Sequence, residues 1–88
     1  MEDQFMNESI VAIPLRSPVE HNGQTFDTLK MREPKVRDSL TARKQGGTDA
    51  AVEVLLFANL CDVHPDVVEN MGMHDYGKLQ DAYKGFLS

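Results

Sequence analysis

The segment TDAAVEVLLFANLC, residues 48–61, is the longest apolar run of the chain, and after Asp49 only two polar residues interrupt it. The Gly46-Gly47 pair breaks the chain just before it, and Thr48 or Asp49 can cap a first helical turn by accepting backbone N–H bonds. Its length and its alanines and leucines favour a helix over a buried strand. A helix that is apolar on nearly every side must be covered on nearly every side. We therefore expect the rest of the chain to be built around this helix.

The size of the chain limits how much it can bury. It has 88 residues, the length of one domain. A domain of this size buries roughly 60–65% of the surface that its unfolded chain exposes. The core is therefore thin, and contact with a partner or self-association would add to its stability.

The charge balance argues against several kinds of partner. The sequence has 9 Lys and Arg against 14 Asp and Glu, which gives a net charge of -5. Because phosphate binding requires a basic footprint, we expect no nucleic acid partner and no anionic membrane surface. No apolar run reaches the ~18 residues needed to cross a bilayer, and the acidic start MEDQFMNES does not match a signal peptide. The single cysteine fits a reducing cytoplasm.

The sequence predicts a β-hairpin near the N-terminus. Residues 10–15 (IVAIPL) are short and rich in β-branched side chains, which is typical of a strand. The Asn22-Gly23 pair favours a tight hairpin turn, because both residues tolerate positive φ. The returning strand is predicted over residues 24–31.

The apolar residues of the returning strand change phase along it. Phe26 is out of register with Leu29 and Met31, since the faces of a strand alternate with period two. A bulge near Asp27-Thr28 would bring all three side chains to one face. We therefore expect a bulge in this strand.

A first helix is predicted directly after the hairpin. Pro34 fits the first helical position, where its missing N–H is not needed, and the helix is expected to end near Lys44. Val36 and Leu40 lie one turn apart and are predicted to face inwards. Asp38 and the neighbouring cations are predicted to face water.

Two more helices are predicted after the central one. Pro65 begins a short helix that ends near Asn70, and the last helix runs from Met73 or His74 to Phe86. The last helix carries an amphipathic stripe made of Tyr76, Leu79, Tyr83, Phe86 and Leu87.

These elements define one α+β domain. Residues 1–9 are predicted to be a flexible N-terminal tail, because they are polar apart from Phe5-Met6. Residues 10–88 are predicted to form a single small domain, an N-terminal β-hairpin followed by a bundle of three to four short helices around the central apolar helix.

The sequence does not gather residues for catalysis or cofactor binding. Cys61 and His64 have a C-x-x-H spacing, and His21 and His74 offer further nitrogens, but a metal site needs three or four convergent ligands. We favour a buried, inert Cys61 and a His64 that precedes a helix by chance. Asp75 beside His74 is expected to be a capping or solvated residue, because neighbours in a helix point apart. The sequence thus predicts no metal, no cofactor and no enzymatic activity.

A cluster of large, adaptable side chains near the C-terminus permits two interpretations. The first is the edge of a small core, and the second is a protein-binding surface, since methionine repacks easily around varied partners. The two overlap, because another chain can complete a thin core. The candidate surface consists of Met71, Met73, Tyr76, Tyr83 and Phe86.

The order of several short motifs along the chain is distinctive. The motifs are Pro18-Val19-Glu20, Asn22-Gly23-Gln24, Leu29, Arg32-Glu33-Pro34, Asp75-Tyr76 and Gly85-Phe86-Leu87. A Gly-containing break, the apolar helix and the Pro-led helix separate the Arg32-Glu33-Pro34 and Asp75-Tyr76 motifs. Over roughly residues 10–87, this order resembles the small tail assembly chaperones of contractile-tailed bacteriophages, the P2-type E and Mu-type group.

The resemblance implies a non-enzymatic role in the cytoplasm of the infected host. Such proteins bind the long, largely helical tape measure protein while the tail tube forms around it, and they are absent from the finished particle. A long amphipathic helix left alone exposes apolar surface and aggregates, so a small partner that covers it is useful if arriving tail tube subunits can displace it.

Other functions remain open at this stage. One is a minor structural tail or connector protein that stays in the virion. Another is a small acidic regulator that binds a host protein or mimics DNA, although the acidic residues are scattered along the chain. A DNA-binding repressor would need a basic recognition helix, which the predicted helices do not provide.

Overall fold

The computed structural model describes residues 9–88, which form an α+β domain as predicted. A two-stranded antiparallel hairpin is followed by four helices. The elements are β1 (Ile10–His21), β2 (Gln24–Arg32), α1 (Val36–Lys44), α2 (Asp49–Cys61), α3 (Pro65–Glu69) and α4 (Met73–Leu87). The predicted tail lies outside the described residues except for Ser9, whose carbonyl accepts a hydrogen bond from the Glu33 N–H at 3.1 Å.

The hairpin turn forms where the sequence predicts it. Asn22 and Gly23 connect the strands with φ of 52° and 81°, the left-handed conformations that a tight hairpin turn requires. The first strand is longer than the predicted 10–15 and continues to His21. The hairpin therefore forms one long ribbon against which the helices lie.

The predicted bulge occurs at the expected level of the hairpin but in the other strand. Residues 15–18 of β1 lie opposite Asp27 alone before regular pairing resumes, so the extra residues belong to β1 and not to the Asp27-Thr28 step of β2. Pro14, directly before this stretch, has no N–H to donate to the ladder. The kink in β1 consequently leaves backbone N–H groups that need other acceptors.

The core lies between one face of the hairpin and the inner side of α2. Phe57 of α2 is fully buried at its centre, and Leu79 of α4 is fully buried beside it. The hairpin brings Ile13, Leu15, Val19, Leu29 and Met31 to this core, the helices bring Ala42, Val52, Leu56, Ala58, Leu60, Cys61, Val67 and Val68, and the connection between α3 and α4 brings Met71.

The prediction for α1 is wrong in its start and in its orientation. The helix begins at Val36 and not at Pro34, and Lys35 is its N-cap. Val36 and Leu40 are 80% and 60% exposed, whereas Asp38 is buried. The helix is therefore rotated so that a carboxylate, and not the two large apolar side chains, faces the domain.

An ion pair between β2 and α1 explains this rotation. The Arg32 guanidinium donates to both Asp38 carboxylate oxygens, from Nη2 to Oδ1 at 2.8 Å and from Nη1 to Oδ2 at 2.9 Å. The Lys35 N–H also donates to Oδ2 at 2.8 Å, which caps the first turn of α1. Arg32, and more weakly Lys35, hold the pKa of Asp38 below its usual range against the opposing effect of burial.

A second carboxylate joins α4 to the kink of β1. Asp75 is buried and not a capping or solvated residue as predicted, and its two oxygens accept hydrogen bonds from the N–H groups of Arg16 at 2.8 Å and Ser17 at 3.0 Å. Lys78, one turn further along α4, donates to the Pro14 carbonyl at 2.9 Å and lies 3.4 Å from Asp75 Oδ1. The first turn of α4 thus supplies the acceptors that the kinked strand lacks.

These bonds also stabilise the ionised form of Asp75. The Arg16 and Ser17 N–H groups lower the pKa of this carboxyl, and Lys78 adds to the effect, while burial opposes it. Asp75 is therefore an anion at neutral pH, and its charge stabilises the folded state.

Replacing Asp38 with Asn is expected to lower the free energy of unfolding by about 1–2 kcal/mol, because a charge-assisted bond to a half-exposed arginine is lost. The measurement is urea unfolding at pH 7. The matched control is Asp81→Asn on the exposed face of α4, which should leave the unfolding midpoint unchanged. Equal midpoints for D38N and D81N would contradict the role of the pair.

Replacing Asp75 with Asn is expected to destabilise the domain in a pH-dependent way. The lowered pKa means that the contribution of Asp75 is fully present above its unfolded-state pKa of about 4 and is lost as the pH falls through the folded-state pKa. The urea midpoint of D75N should lie below that of the wild type at pH 7, and the difference should shrink at about pH 3. A difference of the same size at both pH values would show that the carboxylate charge does not matter.

Candidate protein-binding groove

One side of the first half of α2 is not covered by the described residues, 9–88. Ala50 and Ala51 are exposed, and Val54 and Leu55 are only half-buried, whereas Val52 on another side is buried. The expectation that this helix is covered on nearly every side is therefore wrong. The physical reason is that the neighbouring helices are short, since α1 has 9 residues and α3 has 5, and α1 contacts the start of α2 on the side of Asp49.

The uncovered half of α2 forms one wall of an open groove, which we call the α2–α4 groove. The cavity has a volume of about 540 Å³, and a second depression of about 400 Å³ adjoins it and shares three of its residues. The groove is lined by Ala50, Glu53, Val54, Val68, Glu69, Met71, Met73, Tyr76 and Gln80, and the depression by Ala50, Ala51, Val54, Leu55 and Glu69.

Three of the five predicted surface residues meet in this groove. Met71 is nearly buried and lies at its base, Met73 is 80% exposed at its edge, and Tyr76 is half-buried along its wall. Tyr83 lines a different cavity, together with residues of α1 and α2, and Phe86 packs against the core. The predicted surface is thus divided between the groove and the core.

Tyr76 and Tyr83 both pack against the buried ring of Phe57. The ring of Phe57 lies 5.7 Å from that of Tyr76 and 5.4 Å from that of Tyr83, measured between centroids, in tilted arrangements. Tilted aromatic pairs at this distance are favourable beyond their buried area. The Tyr76 wall of the groove is therefore fixed to the centre of the core.

A polar network lies along the same wall. The Tyr76 hydroxyl donates a hydrogen bond to Glu53 Oε1, and Gln80 Nε2 donates to the same oxygen at 3.1 Å. Burial raises the pKa of Tyr76, and the neighbouring Glu53 carboxylate raises it further. The network holds one carboxylate at the groove, and Glu69 adds a second, exposed one.

Sequence reasoning missed the α2 side of the groove. Ala50, Ala51 and Val54 belong to the apolar run that was expected to lie wholly inside the domain. The signal that could have found them is the pair of small residues at the start of the run, because small side chains let another helix approach closely.

Of the four residues considered as metal ligands, the structure brings His21 and His64 into contact, and Cys61 and His74 are not part of that cluster. Cys61 is buried, and burial raises the pKa of its thiol to about 12, which keeps it protonated and unreactive as expected. His64 does not precede α3 by chance, because its Nδ1 accepts a hydrogen bond from the Asp66 N–H at 3.0 Å and caps that helix. His21 stacks on His64, whereas His74 is exposed on α4.

Comparison with known proteins places the chain in a family. Its residues 12–88 match the family described as phage tail assembly chaperone proteins, E, or 41 or 14. The match covers nearly the whole chain, so the protein belongs to the phage tail assembly chaperone family, and its role lies in phage tail assembly. No curated protein and no solved structure matches the chain. Over residues 9–88, no helix has the length and apolar character needed to span a membrane.

The ionisation of Tyr76 provides a test of the groove wall. The sequence has two tyrosines, so a Tyr83→Phe variant leaves Tyr76 as the only phenol. Its absorbance titration is expected to have a midpoint above the usual value of about 10, and adding Glu53→Gln should lower that midpoint because the carboxylate is lost. Circular dichroism at each pH confirms that the domain stays folded. A midpoint near 10 in both variants would contradict the buried Tyr76–Glu53 contact.

Proposed function

We propose that this chaperone binds the tape measure protein of the phage tail, in the host cytoplasm and without catalysis, and that the α2–α4 groove is the binding surface. The observation that supports the proposal most directly is the uncovered apolar half of α2. A thin domain that leaves part of its main helix open gains stability when another chain covers it.

The shape of the groove favours a helical segment as the bound element. A helix with its side chains is about 10–12 Å wide, and an amphipathic helix binds a groove through apolar residues spaced three and four apart. Ala50 and Ala51 allow close approach at one end, and Met73 offers a flexible side chain that adapts to the bound face. These features match the largely helical character expected of a tape measure protein.

The charge of the groove favours a partner with basic flanks. Glu53 and Glu69 line it, no Lys or Arg is found among its lining residues, and the chain has a net charge of -5. Lys and Arg beside the apolar face of the bound helix would meet these carboxylates and accelerate association. Added salt is expected to slow this association, because exposed charges are screened.

A modest affinity of each chaperone copy for the tape measure protein suits a chaperone that must be released before the tail is complete. Several copies along one long tape measure helix cover its apolar surface without any single tight site. Tail tube subunits that bind the same helix more strongly can then displace the chaperone copies one after another. A groove with one flexible methionine at its edge provides adaptable binding of this kind.

Co-expression with the tape measure protein of the same phage tests the proposal. The wild-type chain should increase the soluble yield of the tape measure protein and elute with it in size-exclusion chromatography. Met73→Glu should reduce the recovered complex by about tenfold or more, because it places a charge against the apolar face of the bound helix.

The matched control is Val36→Glu on α1. Val36 and Met73 are both 80% exposed, but Val36 does not line the groove. V36E should retain the complex, and both variants should unfold at the wild-type temperature. An equal loss of complex in V36E and M73E would contradict the assignment of the groove, and no complex with the wild-type chain would overturn the choice of partner. Mass spectrometry of purified particles that detects the chain would favour a structural tail protein instead.

A further inference from the structure

Two histidines and an aspartate converge at the tip of the hairpin, away from the α2–α4 groove. His21 is the last residue of β1, and His64 and Asp66 lie at the start of α3. Each offers one ligand atom, an imidazole nitrogen or a carboxylate oxygen, and these atoms all lie within 4.8 Å of one another. The fold thus brings His21 next to two residues that follow it by 43 and 45 positions in the sequence.

The donor set is one that divalent transition metals prefer. Zn²⁺ and other divalent first-row transition metals bind imidazole nitrogen and carboxylate oxygen, for Zn²⁺ at about 2.0–2.2 Å. Sites with three protein ligands leave a position for water. Calcium and magnesium prefer oxygen ligands, so two imidazoles argue against them. The net charge of -5 further favours cation binding.

The side chains have room to close around an ion. The rings of His21 and His64 are stacked at 5.0 Å between centroids with an interplanar angle of 22°, so the two imidazoles lie side by side. The His64 and Asp66 side chains are more than half exposed, and His64 Nδ1 lies 3.7 Å from Asp66 Oδ2. An ion at about 2.0–2.2 Å from each ligand atom requires these side chains to rotate towards one another, and their exposure leaves them free of tight packing.

Two hydrogen bonds oppose metal binding, and the longer one joins Asn22 Nδ2 to His21 Nε2 at 3.4 Å. His64 Nδ1 accepts the Asp66 N–H that caps α3, so this lone pair is occupied in the metal-free chain. An ion bound at Nδ1 replaces that bond, whereas an ion bound at Nε2 requires the other tautomer of the ring. The competition makes the site weaker than a closed structural zinc site.

We propose that His21, His64 and Asp66 form a site for one divalent transition-metal ion of the zinc class. The ion links the end of β1 to the start of α3 and so fixes the hairpin tip to the helical part of the domain. The site is separate from the groove, and neither proposal depends on the other.

Titration of the tag-free chain with ZnCl₂ tests the site. Isothermal titration calorimetry should show one ion per chain, and ¹⁵N-resolved NMR of the imidazoles should show shifts of His21 and His64. His21→Asn and His64→Asn should each weaken Zn²⁺ binding by about tenfold or more. Asn is a good N-cap, so H64N removes the ligand while it preserves the start of α3.

The control is His74→Asn, since His74 is exposed on α4 and lies outside the cluster. H74N should bind Zn²⁺ like the wild type. Excess ZnCl₂ should raise the Tm of the wild type and H74N by about 5 °C, reversibly with a chelator, and should not raise that of H21N. Zn²⁺ binding that survives in H21N, or that H74N loses equally, would overturn the proposal.

Discussion

The buried Asp75 carboxylate is the interaction on which the arrangement of this domain depends. Residues 15–18 leave the strand ladder, and the N–H groups of Arg16 and Ser17 find their acceptors on a helix 58 and 59 positions away in sequence. One ionised carboxylate accepts both hydrogen bonds, and Lys78 donates a further one to the Pro14 carbonyl. Because this contact sets the first turn of α4, it also sets where Met73 and Tyr76 lie, and hence the wall of the groove.

The Arg32–Asp38 pair attaches β2 to α1, as Asp75 attaches β1 to α4. It turns the carboxylate of α1 towards the domain and leaves Val36 and Leu40 in solvent. A bidentate, partly buried ion pair with a further bond from Lys35 is stronger than an ordinary surface pair, and it holds α1 in this orientation. Two carboxylates therefore attach a hairpin that would be marginal by itself to its helices.

Local signals predicted the helices and strands, and contacts between these elements decided which of their faces are buried. Asn22-Gly23 and Pro65 act within a few residues of their own positions, so the hairpin turn and the start of α3 were predictable. The burial of Asp75 was not, because nothing near it in sequence indicates that β1 will kink and need acceptors. Likewise, periodicity predicted that Val36 faces inwards, because periodicity takes no account of an ion pair between Asp38 and Arg32 at the end of the preceding strand. For the candidate site, the methionines and aromatic residues near the C-terminus predicted Met71, Met73 and Tyr76, which line the proposed groove, but the α2 wall was missed because apolar runs were assumed to be buried.

The uncovered wall of α2 has a consequence for how the protein works. The opposite face of the same helix carries Phe57, which is fully buried and contacts Tyr76 at the groove. A chain that binds the groove therefore stabilises the folded domain through the same helix that organises its core, by an amount that grows with the partner's concentration. A copy without a partner lacks this added stability. A small domain with one side of its main helix open is therefore suited to the temporary binding that we propose.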